Sequence, residues 1–148
     1  MKNSIIHKTL FLIVGLLCAK SNGQDLNNLK WTNRILIVKT LNTDSEKFNK
    51  QLNEFEHSNK ELKERKIVLY KVIQDKFSSI NFTNNGSTHS GKVNEISLKN
   101  ILDKNQDFEI ILIGLDGGIK LKQSEVLLKE NLFVIIDSMP MRKNEIRN

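Results

Sequence analysis

Two runs of aliphatic residues in the first half of the chain predict buried β-strands. The runs are "RILIVKT", Arg34 to Thr40, and "KIVLYKVI", Lys66 to Ile73. Each is short and rich in β-branched residues, and neither alternates regularly with polar positions, which is typical of strands covered on both faces of a parallel sheet. We therefore expect two parallel strands joined by a right-handed crossover.

The segment between these strands has the pattern of an amphipathic helix. Thr43 and Glu46 form a capping-box pattern, which marks a helix start. Apolar residues then recur at roughly helical spacing among Lys, Glu, Asn and Gln: Phe48, Leu52, Phe55 and Leu62. The pattern predicts one helix of about four to five turns with a single apolar face.

No period is sustained after the second strand. The stretch "SSINFTNNGSTHSGK", Ser78 to Lys92, is rich in Ser, Asn, Thr and Gly, a composition that favours turns and loops. We expect a mobile loop there, followed by a short helix from about Ser97 to Lys104 whose leucine and isoleucine side chains face inward.

The last third of the chain predicts a hairpin and a helix. In "FEIILIGLDGGIKLK", Phe108 to Lys122, an aliphatic run meets Asp116, Gly117 and Gly118, after which apolar residues alternate with lysines. Asp116 and Gly117 favour the positive φ angles of a tight turn, and the alternation predicts an edge strand with one wet face. A final helix is expected from Lys129 to Ser138.

The predicted order of elements is β-α-β-α-β-β-α, which is the order of a thioredoxin-like α/β fold. In this arrangement a mixed central sheet carries helices on both faces. No internal repeat or linker indicates a second unit, and about 125 residues suit one domain. We expect a single domain over residues 24–148.

The first 23 residues have the pattern of a secretory signal peptide. A basic start precedes the apolar run from Leu10 to Ala19, which is too short to span a membrane as a helix. Ser21 and Gly23 supply the small residues that a signal peptidase needs, so we expect cleavage before Gln24 and a secreted or periplasmic protein with no stable membrane span.

Three alternatives to this cleavage remain open. The cut could follow Ser21, or the apolar run could stay in place as a membrane anchor. Cys18 could also carry a lipid, although leucines rather than a small residue precede it, and this disfavours a lipoprotein.

Cleavage changes both the charge and the available chemistry. The whole chain has 23 basic and 17 acidic residues, and three lysines lie in the leader, so the remainder carries a net charge of +3. Its lysines are interspersed with acidic residues rather than clustered, which argues against a nucleic-acid partner. The only cysteine, Cys18, leaves with the leader, so the mature chain can form neither a disulfide nor a thiolate nucleophile.

No catalytic residue, metal site or cofactor is expected in the mature chain. His57 and His89 lie far apart in polar stretches, and a metal site would need more ligands. Thr40 and Ser45 lie near the first helix start, where capping and turn formation are their expected roles because no base accompanies them.

The only proline, Pro140, stands in "MPMR", directly after the last predicted helix. Residues before a proline disfavour the α conformation, so the helix should end at Ser138 or Met139. We expect Met139 and Met141 to fold back and fill gaps against the sheet edge.

Arg142 completes the same motif. It can donate to free carbonyls at the helix end, or pair with Asp137 or Asp116. Together these contacts would make the motif a structural clasp, and a ligand or partner site at the same place is the alternative.

Trp31, the only tryptophan, precedes Arg34 by three residues. The two side chains could stack as an aromatic–guanidinium pair at a ligand site. The other interpretation is that Trp31 plugs the core at the start of the first strand.

Three segments resemble the family catalogued as domain of unknown function 4174: "LKWTNRILIV", "IILIGLDGGIKLK" and "LFVIIDSMPMRKNEI". The resemblance covers about Leu29 to Arg147 and is most specific at Met139 to Arg142. It implies a thioredoxin-like fold, small exported proteins in bacteria, and a relation to a domain of animal sushi-repeat and coiled-coil-domain extracellular proteins. It implies no established activity.

The expected function follows from what a thioredoxin-like enzyme would need. A redox cysteine would lie where the first strand meets the first helix, where this chain has Lys39 to Phe48, and a cis-proline would precede the hairpin at Gln106 to Phe108. Both are missing. We expect a non-catalytic module that binds an unknown protein or small ligand in the envelope or outside the cell. The alternative is a peroxiredoxin-related oxidoreductase that uses a non-thiol site or a bound cofactor.

Overall fold

The computed structural model describes residues 26–93 and 97–147, and a six-stranded mixed sheet lies at their centre. Parallel pairing joins only the first two strands, and every other neighbouring pair is antiparallel. The order across the sheet is β4-β3-β2-β1-β5-β6. In chain order the strands are β1 Arg34–Thr40, β2 Ile67–Ile73, β3 Lys76–Asn81, β4 Ser87–Lys92, β5 Phe108–Ile113 and β6 Ile119–Gln123.

Within the described ranges, four α-helices accompany the sheet. They are α1 Glu46–Glu54, α2 Asn59–Glu64, α3 Lys129–Ser138 and α4 Pro140–Arg147. Two 3₁₀ helices, Leu26–Leu29 and Ser97–Asn100, complete the described elements. The predicted signal peptide and its cleavage site lie outside the described residues.

The strands β1, β2 and β5 are buried on both faces, as the uninterrupted apolar runs predict. Successive residues of β1 point to opposite sides, so Ile35 and Ile37 join one apolar cluster while Leu36 and Val38 join the other. Every residue of β1 and of β5 is buried. The pairing of β1 with β2 confirms the prediction that these two strands are parallel.

Helices lie on both faces of the sheet as predicted, but among the described residues the α-helices that pack on the sheet lie on one face only. Helices α1, α2 and α3 all pack on one face, through Phe48, Leu62 and Leu132 among others. The other face is covered by the two 3₁₀ helices, with Leu26, Leu29 and Leu98 in its cluster. The predicted helix from Ser97 to Lys104 is reduced to the 3₁₀ helix Ser97–Asn100.

The predicted mobile loop from Ser78 to Lys92 is also wrong, because these residues form most of β3 and all of β4. Asn85 and Gly86 have φ angles of +48° and +72°, and the Ser87 N–H donates to the Asn84 carbonyl at 2.9 Å across them. This is the geometry that an Asn-Gly pair favours in a hairpin turn. Composition pointed to a loop, whereas backbone pairing with β2 and β3 makes the strands.

The single helix predicted between β1 and β2 is two helices. Ser45 caps α1, since its Oγ accepts from the Phe48 N–H at 3.2 Å, so Thr43 is not the cap. Side-chain bonds within residues 40–44 hold that stretch out of the helix, including one from the Asp44 N–H to Asn42 Oδ1 at 3.0 Å. The chain breaks again at His57, where φ is +62°.

Two polar side chains of α1 fix the chain that leads into α3. The buried amide of Gln51 donates to the Leu127 carbonyl at 2.9 Å and accepts from the Leu127 N–H at 2.7 Å. Glu54 accepts from the Lys129 N–H at 3.0 Å, which satisfies a free donor in the first turn of α3. The predicted bounds of this helix, Lys129–Ser138, are confirmed.

The β5–β6 hairpin and its edge position are confirmed. Of the three turn residues Asp116, Gly117 and Gly118, only Gly117 has a positive φ, of +79°, so the expectation of a positive φ at Asp116 is wrong. Asp116 instead accepts from the Gly118 N–H at 3.1 Å, and this bond holds the turn without left-handed backbone at the aspartate.

The hairpin gives a first testable prediction. Gly117→Ala should destabilise the fold by about 1 kcal/mol, because an L-residue is strained at positive φ. The added Cβ would meet Lys30 carbons no closer than 3.4 Å, so crowding contributes little. The matched control is Gly118→Ala, at a neighbour without positive φ, which should change stability by less than about 0.5 kcal/mol. If urea unfolding gave equal losses of unfolding free energy for the two variants, that result would contradict the assignment of strain to Gly117.

Candidate functional site

Five of the nine candidate site residues line one cleft at the end of the sheet where β1 begins. The cleft has a volume of about 230 Å³ and lies between β1, the β5–β6 turn and the α3–α4 junction. We call it the Arg34 cleft. Its lining residues are Arg34, Gly114, Leu115, Asp116, Lys120, Met139, Pro140 and Met141.

The β5–β6 turn forms one wall. The Gly114 N–H donates to the Gly118 carbonyl at 2.9 Å, which closes the turn. Lys120 Nζ lies 2.7 Å from Asp116 Oδ2, so the two charges in this wall are paired. A Cβ on Gly114 would come within 2.5 Å of Lys120 Cε and 2.9 Å of Asp116 Oδ1. Glycine at this position therefore leaves room for the pair.

The α3–α4 junction forms the opposite wall. Met139 takes an extended conformation with ψ of 140°, so α3 ends at Ser138 as predicted. Pro140 then begins α4, at the helix position where its missing N–H and fixed φ are tolerated. Sequence reasoning treated this proline only as a stop signal and therefore missed the second helix.

The two methionines differ from the expectation. Met139 is half-buried and packs against the helix-side core, in agreement with a gap-filling role. Met141 is 38% exposed, so the expectation that it fills the core is wrong. The first turn of α4 directs Arg142 inward and leaves Met141 at the rim of the cleft.

Arg34 forms part of the floor. Only 1% of its side chain is exposed. Its Nη1 donates to the Arg65 carbonyl at 3.0 Å and to Glu145 Oε2 at 3.2 Å. Its Nε and Nη2 have no hydrogen-bond partner among the described residues, although buried donors in folded proteins nearly always have one.

Beside the cleft lies a network of ion pairs that we call the Arg142 cluster. It links α2, the start of β1, the residues before β2, and helices α3 and α4. Its members are Arg34, Glu64, Arg65, Lys66, Asp137, Arg142 and Glu145.

Arg142 is the most connected member. Its Nε donates to Asp137 at 3.0 Å, which confirms one of the two predicted partners. Its other nitrogens donate to the Glu64 carboxylate at 2.6 Å and to the Glu64 carbonyl at 3.1 Å. The free helix carbonyl that it satisfies therefore belongs to α2 rather than to α3, and Asp116 is not its partner.

Two carboxyl groups of the cluster, those of Asp137 and Glu145, have lowered pKa values. Burial alone would raise the pKa of Asp137, but hydrogen bonds from Arg65 and Arg142 outweigh burial and lower it. Burial likewise opposes the charged form of Glu145, and attraction to Arg34 together with contact to Lys66 lowers its pKa. In the cleft wall, the hydrogen bond from Lys120 lowers the pKa of Asp116.

Trp31 fits neither interpretation offered by the sequence. It is 61% exposed, so it is not a core plug. The cation over its ring is Lys30, with Nζ 5.3 Å from the centroid, rather than Arg34. The backbone N–H of Trp31 donates to the Leu115 carbonyl at 2.7 Å. This bond places an exposed tryptophan beside a lining residue of the Arg34 cleft.

A second, polar cleft of about 430 Å³ lies at the other end of β1. The hydroxyls there serve turns and caps as predicted, since Thr40 Oγ1 accepts from the Asn42 N–H and Ser45 Oγ accepts from the Phe48 N–H. No histidine lines this cleft, so neither hydroxyl has an imidazole base there.

Within the described part of the chain, no group of three or more His, Cys, Asp or Glu side chains is arranged to hold a metal ion. In the same ranges, no helix is long and apolar enough to cross a membrane.

The burial of Arg142 predicts a large difference between two neighbouring substitutions. Arg142→Ala should lower the free energy of unfolding by about 1.5–3 kcal/mol, because it removes charge-assisted bonds that are partly shielded from water. Met141→Ala, at the exposed neighbour, should cost less than about 0.5 kcal/mol. Similar losses of unfolding free energy for both variants, measured by urea unfolding, would contradict the interpretation of the motif as a structural clasp.

The lowered pKa of Asp137 predicts a pH-dependent contribution. A carboxyl whose pKa is lower in the folded protein stabilises the fold above its ordinary value of 3.8, and the contribution disappears as pH falls through the folded value. The difference in unfolding free energy between wild type and Asp137→Asn should therefore be constant above about pH 5 and shrink below pH 3.8. Exposed Asp107→Asn is the control, and a difference that grows on acidification would contradict the assignment.

Comparison with known protein families gives one match. A family model described as "Domain of unknown function (DUF4174)" matches residues 25–145. No curated protein and no solved structure matches the chain. Since the matched range covers most of the chain, including the Arg34 cleft and the Arg142 cluster, this protein belongs to the DUF4174 family of domains of unknown function.

Proposed function

We propose that this protein is an exported, thioredoxin-like binding module that has no thiol chemistry and holds its ligand or protein partner in the Arg34 cleft. One observation carries the proposal. A buried arginine with two unpartnered donors forms part of the floor of a cleft, and the wall of that cleft at the α3–α4 junction is apolar. Binding sites commonly combine mostly apolar walls with a few polar groups that fix the orientation of the ligand.

The arrangement of four strands supports a thioredoxin-like fold. Strands β1 and β2 are parallel neighbours, and β5 and β6 form an antiparallel hairpin beside β1. A thioredoxin-like fold has the same pairing of its two parallel strands with a hairpin beside the first of them. In the proposed fold, the β3–β4 hairpin occupies the part of the chain where a mobile loop was expected, and the 3₁₀ helix Ser97–Asn100 stands where the second helix was expected.

The residue content supports a non-catalytic role. Cys18 is the only cysteine of the chain, and it lies in the segment whose removal we propose. His57 and His89 are both exposed, and neither lines the Arg34 cleft. The cleft therefore offers donors, charge and apolar surface but no paired nucleophile and base.

The export proposal is tested by intact mass. Protein recovered from its native host should have the mass of a chain that begins at Gln24, because the preceding residues have the basic, apolar and small-residue order of a signal peptide. A product that retains Cys18 with an added lipid would show that the protein is tethered to a membrane rather than secreted.

The binding proposal is tested by combining a ligand screen with activity assays on the purified protein. We expect small molecules that stabilise the protein and shift the NMR signals of cleft residues, without disulfide reduction or peroxide consumption. Met141→Trp, which fills the cleft from its exposed rim, should abolish these effects. Val134→Trp introduces the same side chain at a residue that is 69% exposed and does not line the cleft, so it is the matched control.

Two outcomes would overturn this proposal. Reproducible turnover of peroxide or a disulfide by chelator-treated protein lacking Cys18 would favour the alternative, a peroxiredoxin-related oxidoreductase with a non-thiol site. Ligands that bind equally well to Met141→Trp would place the binding site elsewhere.

A further inference from the structure

The two unpartnered donors of Arg34 lie on the same edge of its guanidinium. By the stereochemistry of the group, the Nε–H and one N–H of Nη2 point in nearly parallel directions, and together they form a fork that matches the two oxygens of a carboxylate. The partners that Arg34 does have, the Arg65 carbonyl and Glu145, are both bound by Nη1. The fork itself is unused among the described residues.

The charge of the surroundings favours an anion with a single charge. The Arg142 cluster contains four cationic side chains and three carboxylates, so one positive charge is in excess. The other charges that line the cleft, Asp116 and Lys120, are paired with each other. One carboxylate on Arg34 would balance the site, whereas a dianion would add an uncompensated charge close to the ionised Asp116.

The shape of the cleft determines which chemical group can accompany the carboxylate. Leu115 and the α3–α4 junction present apolar surface, and the volume of about 230 Å³ fits a compact group rather than a long chain. Of the clefts described, only this one has Arg34 in its lining. Nε and Nη2 are themselves buried, so a ligand reaches the fork from this cleft only if side chains of the lining move aside.

We propose that the Arg34 cleft binds a carboxylate attached to a compact apolar group, with the carboxylate held by Nε and Nη2 of Arg34 and the apolar group held against Leu115, Met139 and Met141. This inference rests on the proposed function, because it names the ligand class of the same cleft. Both a free acid and the carboxyl-terminal residue of a polypeptide have this chemistry.

The test is a titration of the purified full chain, followed by NMR and calorimetry. N-acetyl-leucine should shift the signals of Leu115 and Met141, and N-acetyl-leucinamide, which lacks the charge, should bind at least about tenfold more weakly. A peptide that ends in a free leucine carboxylate, compared with its amidated form, tests the second source. Tighter binding of the peptide than of N-acetyl-leucine would identify a polypeptide end as the ligand, and the reverse order would identify a free acid.

Two variants separate a loss of binding from a loss of folding. Arg34→Met removes the fork and should abolish the preference for acid over amide, with folding checked by circular dichroism. In the unmodified protein Glu145 also lies 3.2 Å from Lys66 and 3.6 Å from Arg142. We therefore expect Glu145 to retain cationic partners in this variant. Met141→Trp leaves the fork intact and should remove binding of both compounds by filling the cleft.

The remaining outcomes overturn either the inference alone or the proposed function as well. Equal binding of acid and amide at the cleft, or tighter binding of inorganic phosphate than of the acid, would overturn the carboxylate assignment while leaving the cleft as a binding site. No response of any cleft residue to the acids, the peptides or the wider ligand screen would overturn both.

Discussion

The ion pairs of Arg142 hold together the parts of the molecule on which the Arg34 cleft depends. One guanidinium bonds to Asp137 in the last turn of α3 and to Glu64 at the end of α2. Because Arg142 lies in the first turn of α4, these bonds fix the angle at which the chain turns after Met139. That turn is one wall of the cleft. One turn further along α4, Glu145 reaches Arg34 at 3.2 Å, so the same helix positions the floor.

The Arg142 cluster contributes more to the geometry of the Arg34 cleft than to the stability of the fold. Buried charges are expensive to desolvate, and apolar residues of similar size often stabilise a protein as well or better. Arg142 recovers that cost through several partners. Among the described residues, Arg34 leaves two buried nitrogens without a hydrogen-bond partner, and Arg65 leaves its Nε. The proposed ligand carboxylate would supply the partner that the two nitrogens of Arg34 lack.

The sequence predicts the regular centre of this fold well and its periphery poorly, for physical reasons. The runs in β1, β2 and β5 carry their own signal, since continuous burial requires continuous apolar residues. Strand β4 carries none: "STHSGK" is entirely polar apart from its glycine and is held by backbone pairing, which composition does not reveal. The Asn85-Gly86 pair was a usable turn signal that the polar composition obscured. Similarly, Pro140 marks both the end of α3 and the start of α4. The sequence pattern shows the first role, whereas the start of α4 is what completes the cleft wall.

The candidate site was predictable as a set of residues but not as an arrangement. The "DGG" and "MPMR" segments are far apart in the chain, and local pattern cannot show that they face each other across Arg34. The burial of Arg34 was masked by its charge, since charged residues at strand ends are usually exposed. Trp31 was misjudged for the converse reason, because a large aromatic beside a buried strand usually packs inward, whereas a φ of +68° turns this one to solvent.

The central claim is that the free edge of the Arg34 guanidinium receives a ligand carboxylate. Its most direct measurement is the ¹H–¹⁵N NMR signal of the Arg34 Nε–H group, assigned by its loss in Arg34→Met, with and without N-acetyl-leucine. The predicted result is a downfield shift and slower exchange with water as the acid binds, because the proton gains a charged acceptor. An Arg34 Nε–H signal that stays unchanged while the methyl signals of Leu115 and Met141 shift would contradict the account.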